Sequence, residues 1–200
     1  MKLWPFADYE SYKKAQIKGS HRRPNRRPAI DKIEIDAIVA EWKDRPTPGK
    51  VLCHGARCGT ELNLFQAAWP AAVLIGTDLA PRVPSVLEWD FNQPNAEWTG
   101  KMDLVYSNSL DHSPNPLETV RTWLDQLTPE GLLFVQWNSQ HVTIIANAAS
   151  MYPGGDCFGS SLDEFIRVFE TVGTVKGLLY LSMSRRGGTR VLVVASRRTA

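Results

Sequence analysis

The strongest constraint on the fold is an alternation. Five short apolar runs, Val51 to Cys53, AVLIGTDL (72–79), SVLEWDF (85–91), Met102 to Tyr106 and GLLFVQW (131–137), are separated by turns and helix-forming stretches. Parallel strands need crossover connections, and such crossovers are right-handed and lay helices on both faces of the sheet. GLLFVQW is apolar almost throughout, as a strand buried on both faces must be. The chain is therefore read as α/β, with a doubly wound, mostly parallel sheet. GLLYLSMS, the turn Arg185-Arg-Gly-Gly188 and TRVLVVAS then read as a closing antiparallel hairpin, which brings the sheet to seven strands. A nicotinamide-binding sheet would continue with further crossovers instead.

The helices have recognisable starts. Asp31 caps KIEIDAIVAEW, where Ile35, Ile38, Val39 and Trp42 share one face, and the helix ends near Arg45-Pro-Thr-Pro-Gly. Leu62, Leu64 and Phe65 mark a helix after the first strand. Asn115, Pro116 and Glu118 spell a cap, a proline in the first turn and the acid of a capping box, ahead of Val120, Trp123, Leu124 and Leu127. Ser161 to Val172 is the last helix. With 200 residues and 43% hydrophobic content there is material for one core, so residues 31–200 are expected to form one domain.

Residues 1–30 are set apart by charge. Up to Arg27 they hold eight Lys or Arg against two acids, a surplus of +6 in a chain whose net charge is +2. Mutual repulsion favours an extended or partner-bound segment. Such an arm either lies solvated on its own domain or meets an anionic partner, and Tyr9, Tyr12 and Gln16 suit it to fold over the site as a lid. No run approaches the roughly 18 to 20 apolar residues of a membrane span. The first residues lack a signal-peptide run, and three cysteines cannot all pair within the chain. A cytoplasmic protein with no membrane insertion is expected.

In a doubly wound sheet the ligand lies beyond the carboxyl ends of the strands. The first strand is followed by His54-Gly55-Ala56-Arg57-Cys58-Gly59-Thr60-Glu61, where glycines permit a tight turn and close backbone approach before a helix N-terminus. Alone, that is also an ordinary strand-to-helix turn. Asp78, with Leu79 beside it, ends the second strand and can either accept from both ribose hydroxyls or cap its own turn. Asp90-Phe91 ends the third, an acid and an aromatic ring suited to the amine and face of an adenine. Cys53, His54 and Cys58 lack the paired spacing of zinc sites, so no metal is expected. Trp69, Trp123 and Trp137 are assigned to the core, while Trp89 and Trp98 are placed either there or beside a pocket.

Together VLCHGARCGTE, IGTDLAP, VLEWDF, MDLVYSNSLDHSPNP and LTPEGLLFVQW resemble class I S-adenosylmethionine-dependent methyltransferases, over roughly residues 50–137. The resemblance implies a Rossmann-like methyltransferase fold with S-adenosylmethionine as cofactor. It places Gly55, Ala56 and Gly59 along the methionine part, Asp78 with Leu79 at the ribose, Asp90 and Phe91 at the adenine, and Asn108 on the floor after the fourth strand. Two positions depart from the family pattern: Cys53 stands where an acid usually ends the first strand, and Arg57 where a glycine is common. Glu61 is the candidate replacement for the missing acid, and Arg57 either forks onto the methionine carboxylate or points to solvent.

Asp111 and His112 lie past the fourth strand, where an acceptor would approach. His112 is a candidate base for an acceptor that must lose a proton. The alternative is a structural role for Asp111 or Ser113 at the start of the next helix. The stretch from Gln140 to Ser161 is the candidate acceptor-binding insertion, with Gly154-Gly155 as a mobile loop. A small-molecule or glycan-like acceptor fits best. A nucleic acid gripped by the basic arm is the second reading, and a cofactor-binding protein without turnover is the third.

Overall fold

The computed structural model describes residues 1–3, 6–22, 30–140, 156–181 and 188–198. In chain order the elements are β1 (Lys2–Leu3), α1 (Tyr9–Arg22), α2 (Lys32–Trp42), β2 (Lys50–His54), α3 (Thr60–Ala68), β3 (Val73–Asp78) and β4 (Val86–Glu88). They continue as β5 (Met102–Ser107), a 3-10 turn (Leu110–His112), α4 (Pro116–Asp125), β6 (Leu127–Asn138), β7 (Phe158–Gly159), α5 (Leu162–Val172), β8 (Thr174–Leu181) and β9 (Arg190–Ser196). Seven strands form one sheet in the order β4-β3-β2-β5-β6-β9-β8. Strands β2 to β6 are parallel, and β9 runs antiparallel to both β6 and β8. The expected seven-stranded α/β sheet with its closing hairpin is thus present.

Side chains alternate across the central strands, as the period of two requires. Leu52, Val105, Leu133, Val135, Val191 and Val193 point to one face and pack with Val120, Trp123 and Leu124 of α4 and Phe165 and Phe169 of α5. Val51, Cys53, Leu104, Tyr106, Phe134 and Val194 point to the other, against Ile35, Ile38 and Trp42 of α2 and Leu62 and Phe65 of α3. A second, two-stranded pairing joins β1 to β7. Among the described residues no helix is long and apolar enough to cross a membrane.

Capping follows the sequence with one correction. Asp31 and Glu34 close a reciprocal capping box on α2, and Ser161 with Glu164 does the same on α5. On α4, Asn115 accepts from the Glu118 amide, but the Glu118 carboxylate pairs with Arg121 and closes no box.

The larger correction concerns the arm. Residues 9–22 form a helix, not an extended segment. Tyr12, Gln16 and Gly19, at i, i+4 and i+7, are buried on one side while Lys14 and Lys18 face solvent. Packing of that face outweighs repulsion between cations that solvent already screens. Arg23, Arg26 and Arg27, the loop Gly154-Gly155 and the hairpin turn at 185–187 lie outside the described residues.

Candidate functional site

Strand order reverses between β2 and β5, since β2 is followed by β3 on one side and by β5 on the other. Ligands bind at such switch points, beyond the carboxyl ends of the strands. The residues there are set by the turn after β2. Gly55 (φ 75°) and Gly59 (φ 70°) are left-handed, and Arg57 (φ 20°) lies at the edge of that region. A Cβ on Gly55 would stand 2.4 Å from Ser109 Oγ. Gly55→Ala is therefore expected to destabilise the protein by about 1 to 3 kcal/mol in urea unfolding; no change would mean that the turn relaxes freely.

Gly59 precedes α3 without a side-chain cap, so no cap side chain covers the first amides of the helix. Glu61, in that first turn, is buried. Burial pushes its carboxyl up to about 7, with Asp78 adding to the rise and Asn108 and Arg57 opposing it. Asn108 Nδ2 donates to Glu61 Oε1 at 3.4 Å, and Ser109 Oγ donates to Asn108 Oδ1 at 3.0 Å. Asp78 is raised chiefly by burial, against the amides of Ala80 and Arg57 and the charges of Arg57 and His112. Ala80 N donates to Asp78 Oδ1 at 2.8 Å, so one oxygen caps its own turn. Gly55, Ala56, Arg57, Gly59, Glu61, Asp78 and Asn108 are thus gathered at one place, and half-buried Leu79 borders it.

Asp90 and Phe91 are not brought there together. Asp90 Oδ1 accepts from the Asn92 amide at 3.0 Å and Asn92 Nδ2 at 2.8 Å, and Oδ2 accepts from Tyr9 Oη at 2.8 Å. Phe91 turns inward, edge-on to Trp123 at 5.4 Å, with its ring in the core. The aromatic rings beside Asp90 are Tyr9 and Tyr12, which come from α1. Arg82 Nη2 donates to Ser20 O at 2.9 Å and Tyr12 Oη accepts from Asn92 Nδ2, so α1 is fastened to the loops after β3 and β4.

Asp111 and His112 occupy the 3-10 turn after β5. Ser113 Oγ accepts from the Asn115 amide at 3.1 Å, so Ser113 takes the structural role at the start of α4. Asp111 also lines a small recess with Gln136, Trp137, Phe158 and Phe165. Gln136 Nε2 is buried there with no hydrogen-bond partner among the described residues. The polar residue inside the apolar run of β6 was the available signal for this recess. Trp137 is in the core as expected and also borders the recess, and Trp98 is core too. His54 is wholly buried, stacked on Trp123 at 5.2 Å. Thr77 Oγ1 donates to its Nδ1 at 2.8 Å, and its Nε2 donates to Gln126 Oε1 at 2.9 Å. Burial holds it neutral, with its pKa lowered to about 4.

The sheet order and the gathered strand-end residues decide the architecture. The fold is that of the class I S-adenosylmethionine-dependent methyltransferases. No family model and no curated protein matches the sequence; the similarity is structural. The chain is similar to 1,6-didemethyltoxoflavin-N1-methyltransferase of Burkholderia thailandensis, with S-adenosylhomocysteine bound, at TM-score 0.73 and 11% identity, covering 98% of this chain and 92% of that one. It is similar to magnesium protoporphyrin IX methyltransferase of Synechocystis PCC 6803, also with bound S-adenosylhomocysteine, at TM-score 0.65 and 15% identity, covering 94% of this chain and all of that one. The CMeT domain of the citrinin polyketide synthase matches at TM-score 0.62 and 16% identity over 83% of this chain, which spans only 52% of that one. At these identities the methyltransferase fold is what is shared.

Proposed function

We propose that the protein transfers a methyl group from S-adenosylmethionine to a small-molecule or glycan-like acceptor. The observation that carries this reading is the buried carboxylate of Glu61, raised to about 7 and set beside Asp78 at the switch point. A buried acid held this way is stabilised by an incoming cation, and the amino group of the methionine moiety is one. Glu61 would then do the work of the acid that Cys53 lacks. Cys53 itself is buried, and burial keeps its thiol protonated.

The remaining groups fit the same ligand. Asp78 can still accept from ribose hydroxyls, the left-handed turn at Gly55 and Gly59 lets backbone approach, and Arg57 is close enough to act on both acids and on a ligand carboxylate. Asp90, with Tyr9 and Asn92, would bind the adenine end, and α1 would act as the lid over it. The sulfonium of the bound cofactor supplies an electrophilic methyl, so the protein's main task is alignment, worth up to about 7 to 11 kcal/mol.

Calorimetry with S-adenosylmethionine, followed by transfer of labelled methyl into fractionated cell extract, tests the reading. Absence of binding at millimolar cofactor would reject it, and binding without transfer to any fraction would leave a silent binding protein. Within the methyl-transfer reading, Asp111 and His112 serve the acceptor. Changing both to Asn is expected to lower turnover about a hundredfold with cofactor affinity unchanged; unaltered turnover would assign the pair to structure.

A further inference from the structure

One face of α1 reaches both ends of the crevice. Tyr9, Tyr12 and Gln16, at i, i+3 and i+7, share that face and span about 10 Å along the helix. Tyr9 Oη donates to Asp90 Oδ2 and Tyr12 Oη accepts from Asn92 Nδ2, at the end that would take the adenine. Gln16 is buried and meets His112 at the acceptor side, with Oε1 at 3.0 Å from Nδ1. These two residues are 96 positions apart in the chain, so the contact exists only because α1 lies where it does.

A carboxamide oxygen can only accept, so Nδ1 carries the hydrogen of this bond. The other end of the amide agrees, since Gln16 Nε2 donates to Cys157 Sγ at 2.9 Å. Cys157 is in turn fixed beside the 3-10 turn, its amide donating to Asp111 O at 2.6 Å. The opposite orientation would set an amide N–H against Nδ1, which a charged imidazole cannot accept, because both of its nitrogens then carry hydrogen. With Nδ1 held, Nε2 is the ring atom left to gain or lose a proton. It faces Asp156 Oδ1 at 3.7 Å and Asp111 Oδ2 at 4.0 Å, where a charged ring is ion-paired. His112 keeps 26% of its side chain exposed, and its charge acts on Asp78.

We propose that Gln16 is a positioning residue, holding the ring of His112 so that Nε2 and not Nδ1 takes the proton of the acceptor. The proposal rests on the methyl-transfer reading. A proton passed from the acceptor to Nε2 makes the ring cationic between Asp111 and Asp156, which offset that charge, and it leaves to water once the product has gone. Gln16 stands on the same helix face as Tyr9 and Tyr12, so whatever seats α1 over the adenine end also orients the imidazole. The base is complete only with the arm in place.

Nitrogen-15 NMR of the histidine-labelled full chain tests this. The chain holds four histidines, and the resonances of His112 are those that His112→Asn removes. At a pH where the ring is neutral, the hydrogen is expected on Nδ1 with Nε2 bare. Gln16→Leu should move it to Nε2, where the two carboxylates can accept it, and Gln16→Glu, which keeps an accepting oxygen, should leave it on Nδ1. Transfer of labelled methyl into cell extract should fall about 10- to 100-fold in Gln16→Leu and recover in Gln16→Glu. Hydrogen on Nε2 in the wild type, hydrogen still on Nδ1 in Gln16→Leu, or unaltered transfer by that variant would each overturn the role. The wild-type tautomer needs no change at Gln16, so it decides even where Gln16→Leu fails to fold. Calorimetry with S-adenosylmethionine on the same preparation separates the two ideas: hydrogen on Nδ1 in a protein that binds no cofactor sinks the methyl-transfer reading alone, and cofactor bound with hydrogen on Nε2 sinks the positioning role alone.

Discussion

Arg190→Ala is expected to lower the free energy of unfolding by about 3 to 5 kcal/mol in urea titration above pH 8, where Glu34 is ionised in the wild type. Arg190 opens β9 with 2% of its side chain exposed, and its guanidinium lies 3.0 Å from Glu34 Oε2 and 3.2 Å from Asp31 Oδ2. Glu34 is wholly buried, accepts from Tyr106 Oη at 3.3 Å and closes the cap of α2. The pair therefore bolts α2 to β9, the strand next to the edge of the sheet. Without the arginine, a buried carboxylate is left with only its hydrogen bonds. Burial and the neighbouring Asp31 already push its carboxyl up, with Arg190 pulling the other way.

The variant thus adds to the rise, and the sign of the pH dependence follows. A carboxyl raised in the folded state contributes stability below its unfolded value, near 4.3, and loses it as pH climbs through the folded value. With Arg190 in place Glu34 stands at about 8, so the deficit of Arg190→Ala should be level below that pH, where both proteins hold the proton, and widen above it, where the wild type ionises and the variant resists. Replacing both partners by Met should recover most of the loss, because two apolar side chains leave no buried charge. A deficit below about 1 kcal/mol for the single variant would mean that water reaches Glu34.

How legible such features were in the sequence depended on whether they follow a local period. The sheet did: strands alternate every second residue, so Leu52 and Val51 declare opposite faces without any knowledge of partners. The turn of Gly55 and Gly59 was equally plain, since only glycine adopts that backbone cheaply. The arm was misjudged because its eight cations are conspicuous, while the buried face of Tyr12, Gln16 and Gly19 is short and only partly apolar. Phe91 looks the same in sequence whichever way it turns; the bonds from Asn92 to Asp90 fix the turn, and the ring goes to Trp123.

Glu61→Gln is expected to make the ligand-free protein more stable and nearly unable to bind S-adenosylmethionine. The folded carboxyl stands at about 7 against its usual 4.5 because burial disfavours the charge. Its contribution to stability is complete below about 4.5 and is lost as pH rises through about 7, a difference of roughly 3 kcal/mol. The amide, which never ionises, escapes that loss and can still accept from Asn108. The gain of the variant over the wild type should therefore be absent in acid, grow between pH 4.5 and 7, and level off above.

Binding should run the other way. A cationic amine beside Glu61 draws its proton off, so the wild type should release up to one proton per cofactor bound at pH values just below 7. Calorimetry in buffers of different ionisation heat measures that release, and Glu61→Gln should abolish it together with most of the affinity. A protein gains nothing from burying a costly acid in an empty crevice unless something positive comes to meet it. If the amide variant binds S-adenosylmethionine as tightly as the wild type, Glu61 does not face the ligand and the cation it awaits is a different one.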